Sequence, residues 1–373
     1  MDARDVAHLP MLVAGLAFAL AFVFGAVANK VNFCTMGAVT DVVNFGDWRR
    51  MRMWVLAIAI AIAGAGVMAA VGVVDFGKTI YTNPRVAWVS SLVGGFLFGF
   101  GMTLSSGCGS KTLIRAGAGN LKSWVVLFVL AIAAYMTLKG LFAVWRTAGL
   151  DPWRLDVSGL GAATSDLPAI AAAVGLGAAR AWLPFVVAAL LLVYVFKDRE
   201  FRTTPELILG GVVVGLVIVG GWYISGHVGH LAEDPNTLEE KFVATNSGRA
   251  ESYSFTSPVA YTLELLMFWS DSSRIVTFGI AGVLGMLAGS LAYALASKTF
   301  RWEGFGSVED VANHIVGGVL MGFGGVTALG CTIGQGLTGI STLAIGSILA
   351  FAAIIVGCVA CVRYQEWRLE RAA

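Results

Sequence analysis

Three of the five cysteines in this chain sit where a thiol could meet a ligand instead of filling a core. Cys34 lies in Asn32-Phe-Cys-Thr-Met-Gly37, Cys108 in Ser105-Ser-Gly-Cys-Gly-Ser-Lys-Thr112, and Cys331 in Gly330-Cys-Thr-Ile-Gly-Gln-Gly336. Each is set among glycines, hydroxyls and backbone amides. A thiol there offers a weak S–H donor and a polarisable sulfur. Where a broken chain restarts as a helix, its first N–H groups are unpaired and the helix dipole adds positive charge. That combination suits an anion. Lys111 and Arg115 follow Cys108 and would strengthen the site, whereas Thr332, Gln335 and Thr338 follow Cys331 as neutral donors. The expected binding set is therefore Cys34, Cys108 and Cys331, with Gly107, Gly109, Lys111, Gly330, Thr332 and Gln335 around them. The cargo that fits is a small anion that can itself carry sulfur.

Cys358 and Cys361 differ. They lie in an uninterrupted apolar run, and despite their C-x-x-C spacing they read as small buried hydrophobes. A redox pair belongs at a polar, accessible helix start. Thiolates also bind soft metals. Yet no histidine or carboxylate accompanies the cysteines in either glycine-rich run beyond His314, a whole helix from Cys331. His227 and His230 lack further ligands in pattern and read as part of a loop. No cofactor is expected.

Two of the cysteines end the same element. Residues 92–108 and 315–331 align without gaps with nine of seventeen positions identical. Gly94, Gly95, Gly99, Phe100, Gly101, Gly107 and Cys108 meet Gly317, Gly318, Gly322, Phe323, Gly324, Gly330 and Cys331. The helically spaced glycines allow close backbone packing. Those beside the cysteines are expected to permit the non-helical backbone at the breaks. Twin interrupted apolar segments in two halves of a membrane protein point to a transport site. The copies are inverted if each broken segment is one crossing, and parallel if each is a re-entrant hairpin. The inverted arrangement is attractive because it aims the two Gly-Cys breaks at each other.

The solvent for these elements is lipid. The chain is 57% hydrophobic and 13% charged, with mean hydropathy +0.80, against roughly 25% charged in a soluble domain. Apolar stretches run at about 11–28, 53–74, 86–104, 123–145, 182–196, 207–224, 275–297, 313–329 and 342–362, several long enough to span a bilayer. Ala26-Val27-Ala28 resembles a signal cleavage site. The leader Met1-Asp-Ala-Arg-Asp5 has no net positive charge, so a retained first helix is expected. Residues 258–270 are apolar but too short to cross, and read as an interfacial or re-entrant helix. The fold class is thus an all-α polytopic membrane protein with two internal repeats and broken helices meeting near the midplane. Residues 1–145 form a first repeat-bearing half, 146–274 connecting helices and an external loop, and 275–373 the second half. Basic clusters at Arg49, Arg50 and Arg52, at Lys197, Arg199 and Arg202, and at Arg363, Arg368 and Arg371 mark the cytoplasmic side. The polar stretch 227–257 then lies opposite. A net charge of +2 gives no reason to expect nucleic acid.

Three motifs, in order, resemble the YeeE/YedE family: Asn32-Phe-Cys-Thr-Met-Gly-Ala-Val-Thr-Asp41, then Ser106-Gly-Cys-Gly-Ser-Lys-Thr-Leu-Ile-Arg115 with Gly119-Asn-Leu-Lys-Ser123, then Gly330-Cys-Thr-Ile-Gly-Gln-Gly-Leu-Thr-Gly339. The resemblance runs over nearly the whole chain. These are bacterial inner-membrane proteins whose studied members take up thiosulfate. The resemblance implies that Cys34, Cys108 and Cys331 hand thiosulfate along by transient S–H···S hydrogen bonds. It implies an hourglass of helices with half-helices meeting near the middle. By family association only, a separate TusA-like cytosolic sulfur carrier is a possible partner, beside membrane lipid and the anion. Other members are linked to selenium or to other sulfur compounds. Uptake is expected to be passive, ion-coupled or drawn by consumption inside the cell. The alternative reading is a membrane thiol–disulfide or sulfur-transfer enzyme using the same cysteines as nucleophiles.

Overall fold

The computed structural model describes residues 3–235 and 237–372. In chain order the helices are α1 (Ala3–Lys30), α2 (Thr35–Phe45), α3 (Arg49–Val71), α4 (Trp88–Leu104), α5 (Gly109–Gly117), α6 (Leu121–Lys139), α7 (Leu141–Trp145), α8 (Leu167–Ala173), α9 (Ala179–Phe196), α10 (Arg199–Arg202), α11 (Pro205–Tyr223), α12 (Thr256–Met267), α13 (Phe278–Ala296), α14 (Val308–Thr327) and α15 (Ile345–Ala372). A wide helical segment, Gly334–Gly339, leads into α15. Sheet among the described residues is limited to two antiparallel pairs of two-residue strands, Arg85–Val86 with Leu155–Asp156 and His230–Leu231 with Lys241–Phe242.

Every apolar stretch expected to be membrane-embedded is helical. Among the described residues eight spans are long and apolar enough to cross a bilayer, the first running through α1 and α2 from His8 to Phe45. Helix α14 is not one of them, because Glu309, Asp310 and His314 occupy its first two turns. Protein covers it instead. Its glycines lie against α4 on one side and α6 on the other, so less of its surface needs to suit lipid. Met1 and Asp2 lie outside the described residues, but α1 runs unbroken through Ala26-Val27-Ala28 and buries Ala28.

The ends of α3 define two opposite faces. At its start Arg52 donates to the Tyr194 carbonyl at 2.5 Å and pairs with Asp198 at 3.6 Å, which gathers two of the basic clusters on one face. Beyond its end Lys78 pairs with Glu240 at 2.6 Å, and Thr79 bridges to Ala250. The polar stretch 227–257 therefore lies on the other face. Helix α12 has 12 residues, about 18 Å of rise, and cannot cross a core of about 30 Å. It starts at the buried Phe255 and Thr256 and ends at the exposed Leu266 and Met267. Of the two expected alternatives this is the re-entrant one.

Glycine lets the two duplicated helices touch backbone to backbone. A Cβ on Gly94 would come within 2.7 Å of the Gly324 carbonyl, and one on Gly101 within 2.7 Å of the Gly317 carbonyl. Low numbers on α4 meet high numbers on α14, so the helices are antiparallel. Gly95 and Gly99 face the α15 backbone at Ala350 and Ile354, while Gly318 and Gly322 face α6 at Val129 and Leu130. Each copy's helix thus packs against the helix that follows the other copy. Any side chain here would force the backbones apart, which is the physical reason for small residues at such crossings.

Candidate functional site

All three expected cysteines occupy the same local structure. The preceding helix closes on a left-handed residue two positions before the cysteine: Asn32 (φ 53), Ser106 (φ 58) and Leu329 (φ 59). The next amide then reaches back five positions, Phe33 N–H to Ala28 at 2.9 Å, Gly107 N–H to Met102 at 2.8 Å and Gly330 N–H to Gly325 at 2.7 Å. The left-handed residues bond three positions back, Asn32 to Asn29, Ser106 to Thr103 and Leu329 to Val326. This is the Schellman closure, and it satisfies the last carbonyls of the ending helix. The cysteine follows at once and opens the next helix. Cys34 and Cys108 stand at the N-cap positions of α2 and α5 with extended backbone. Cys34 Sγ accepts from Gly37 N–H, and Cys331 Sγ from Gly334 N–H, both at 3.4 Å.

This corrects one expectation. Gly107 and Gly330 do not supply the left-handed backbone; Ser106 and Leu329 do. Gly330 is held small by the restarting chain, since a Cβ would come within 3.2 Å of Gly334 C, whereas one on Gly107 would only touch Lys111 at 3.4 Å. Asn32 and Ser106 were singled out by no sequence argument beyond the motif, because a left-handed closure is normally signalled by glycine.

The breaks converge. The Cys34 and Cys108 thiols are neighbours. Cys108 Sγ lies 3.2 Å from Ser110 Oγ, and Thr332, next in chain to Cys331, adjoins Cys108 from the opposite break. The sulfur of Cys331 accepts from Phe255 N–H at 3.3 Å and lies 3.9 Å from Ser254 Oγ. Phe255 Cβ also stands 4.0 Å from where Gly109 would carry a Cβ. The start of α12 is thus wedged between the two duplicated breaks. All three cysteines are buried, as are Gln335 and Thr332. Cys358 and Cys361 sit within α15, where Cys358 Sγ lies 3.1 Å from the Thr103 hydroxyl on α4.

Basic groups stand at both ends of this line. Lys111 Nζ donates to Asn32 Oδ1, and Arg115 Nη1 donates to the Ser106 carbonyl at 3.0 Å. Each cation therefore braces a left-handed corner. They lie on the face of the basic clusters, since Lys30, just before Asn32, approaches Glu206 at 3.8 Å beside Arg202. On the opposite face a cavity of about 280 Å³ opens beside Leu329 and Gln335, lined also by Arg85, Arg146, Arg154, Arg249 and Tyr81 among others. Asp151 is its one acidic lining residue; it pairs with Arg146 at 2.6 Å and accepts from Ser90 at 2.8 Å. Arg154 and Arg249 bond only to main-chain carbonyls among the described residues, at Asp151 and Thr79. No sequence argument found these arginines. They come from three separate loops, and only the fold brings them together.

His230 bonds to Glu240 at 2.6 Å, and His227 lies against Tyr223. No group of three or more histidine, cysteine or acidic side chains placed to hold a metal occurs among the described residues.

The chain is similar to known proteins over most of its length. The sulphur-transport family matches over residues 30–360. The thiosulfate transporter TsuA of Escherichia coli (strain K12) is 26% identical over 325 residues, 84% of this chain and 83% of that protein. The thiosulfate transporter TsuA of Spirochaeta thermophila is 27% identical over 347 residues, 90% of this chain and 94% of that protein. The probable transporter YedE of Escherichia coli (strain K12) matches 30% of the chain at 26% identity. These relatives are named as transporters, not as enzymes. The chain is a multi-pass membrane protein of the sulphur-transport (YeeE/YedE) family.

Proposed function

We propose that this protein takes up thiosulfate, or a closely related small anion ending in sulfur, across the bacterial inner membrane. The observation that carries the reading is the convergence of three Cys-capped helix starts into one buried line, with arginines at one end and Lys111 and Arg115 at the other. A dianion cannot be stripped of water without replacement. Along the line, main-chain N–H groups and thiols replace water in stages, and no fixed positive charge at the centre binds the anion too tightly for release. The vestibule collects the anion, Cys331 receives it first, and Cys108 and Cys34 pass it toward Lys111. Thiols donate without being oxidised.

The two duplicated halves, residues 1–145 and 275–373, are read as an inverted pair joined by 146–274. Support comes from reciprocity: Gly94 meets Gly324 while its equivalent Gly317 meets Gly101. Equivalent residues exchanging contacts in this way are the mark of a two-fold relation. The basic face is the cytoplasmic one by the charge rule. Inward movement of a dianion against an inside-negative potential costs about 4.6 kcal/mol per 100 mV, twice the value for one charge. Uptake therefore needs a co-transported cation or steady consumption inside.

The test is growth of a bacterium stripped of its own thiosulfate importers. Expression of this chain should restore growth with thiosulfate as sole sulfur source. Membrane-inserted protein that restores neither growth nor labelled thiosulfate uptake would contradict the reading.

A further inference from the structure

Two of the three cysteines are followed by threonine: Cys34-Thr35 and Cys331-Thr332. Both threonines are buried, at 2% and 0% exposure, and neither hydroxyl has a hydrogen-bond partner. Among the other buried threonines of the described residues only Thr256, at the start of α12, shares this lack. Thr103, Thr137, Thr327 and Thr338 each give their hydroxyl to a main-chain carbonyl. A native interior leaves few such groups unpaired, and each one asks for a reason. Here the two stand at equivalent positions of two breaks, one residue past the sulfur. At the third break this position is Gly109, and Thr332 from the facing break adjoins Cys108 instead.

We propose that Thr35 and Thr332 bind the oxygen end of the transported anion, while the thiols bind its terminal sulfur. The inference rests on the transport reading above and adds the basis of selectivity. An anion with a soft sulfur at one end and hard oxygens at the other meets two kinds of donor in alternation along one line. The hydroxyls are held unpaired in the empty protein and are bonded only when cargo passes. Sulfate offers no soft end to the thiols. Hydrosulfide offers no oxygens to the threonines. The ligand class selected is the small sulfur oxyanion that has both.

The test uses the full chain reconstituted in lipid vesicles, with labelled thiosulfate uptake and competition by sulfate and by hydrosulfide. Thr332→Val keeps the branched shape and removes the hydroxyl; Thr332→Ser keeps the hydroxyl. The proposal expects Thr332→Val to lower thiosulfate uptake about tenfold or more, the size of one lost hydrogen bond to a charged group. Serine should restore most of it. Hydrosulfide should compete better in the valine variant than in the parent. Thr35→Val should act in the same direction. Because neither hydroxyl is bonded at rest, valine should leave the thermal midpoint unchanged or raise it. Uptake and competition equal to the parent in both valine variants would overturn the proposal, as would a loss of uptake that tracks a lowered midpoint and is not restored by serine. A parent protein that carries no thiosulfate would overturn the transport reading itself, and this inference with it.

Discussion

The two breaks of the duplicated element share a backbone but not a charge. At Cys108 the cations are local, with Lys111 and Arg115 on the same short helix, one reaching to Asn32 and the other to Ser106. At Cys331 the following residues are neutral, and positive charge comes from Arg85, Arg146, Arg154 and Arg249 on loops far away in sequence. The local cations are engaged in holding corners. Two of the remote ones, Arg154 and Arg249, have no acidic partner among the described residues. Both breaks thus keep a helix end closed just before a cysteine. The charge beside each break comes from different parts of the chain, and on the proposed reading the cavity is the stronger collector.

The likeness of the halves is tested first at their contact. Gly94 and Gly324 abut each other's backbone. Gly94→Val and Gly324→Val should each prevent normal assembly, since overpacking a tight contact costs about 1–3 kcal/mol even where side chains can give way, and backbone cannot. Folded yield in membranes, by size-exclusion profile in detergent, should collapse for both. Normal yield for either one would break the reciprocity. Gly107→Ala, with room for its methyl, is the control that should fold.

The unlike charges are tested next. Replacing Arg154 and Arg249 together by glutamine should lower the initial uptake rate by about tenfold at low ionic strength and much less near 1 M salt, where screening shortens to about 3 Å. Arg115→Gln should cause a loss that salt does not relieve, because it removes a brace and not a collector. The opposite salt pattern would reverse the roles of the two mouths.

A smaller effect separates the corners. Leu329 pays for a left-handed backbone that glycine adopts freely. Leu329→Gly should raise the thermal midpoint, by up to about 1 kcal/mol of stability. Ser106→Gly should gain less, since its short polar side chain suits the turn better. A fall in midpoint for Leu329→Gly would mean that packing of the leucine side chain outweighs the backbone relief.

The smallest effect concerns the external loop. Burial pushes the Glu251 carboxyl up to about 7, opposed by hydrogen bonds from Ser247 and Asn246. No ion pair to it occurs among the described residues, and its charge is felt by Tyr81 and Tyr261. The folded state thus holds a proton that the unfolded loop has released. Stability from this group is present below the usual carboxylate range and is lost as pH rises through about 7. Proteolysis within 227–257 should quicken between pH 5 and 8 in the parent, and Glu251→Gln should flatten that trend.

Much of this architecture was legible in the sequence because lipid leaves few options. Long apolar runs had to be helices, and the repeated glycines marked the crossing of α4 and α14. The cysteines of the breaks were separable from Cys358 and Cys361 by their neighbours alone. The left-handed corners were not legible, since Asn, Ser and Leu occupy a position usually signalled by glycine. The vestibule was not legible either. Arg85 lies in a two-residue strand paired with 155–156, Arg146 and Arg154 flank Asp151, and Arg249 sits in a loop tied to Thr79. Their meeting depends on the helices between them, which no local pattern records.

The central claim is that the cysteines at the breaks, and not thiols in general, carry the anion. Initial thiosulfate uptake into lipid vesicles should be compared for two variants: serine at Cys34, Cys108 and Cys331 together, and serine at Cys358 and Cys361 together. If soft sulfur matters at each stage, the triple variant should lose on the order of a hundredfold, from three contacts of about 1 kcal/mol each. The double variant should stay near the parent rate, and no mass adduct of sulfur should remain on the parent protein after turnover. A triple-serine protein that transports at the parent rate would contradict the account, and a persistent persulfide on the parent would replace the non-covalent relay with sulfur-transfer chemistry.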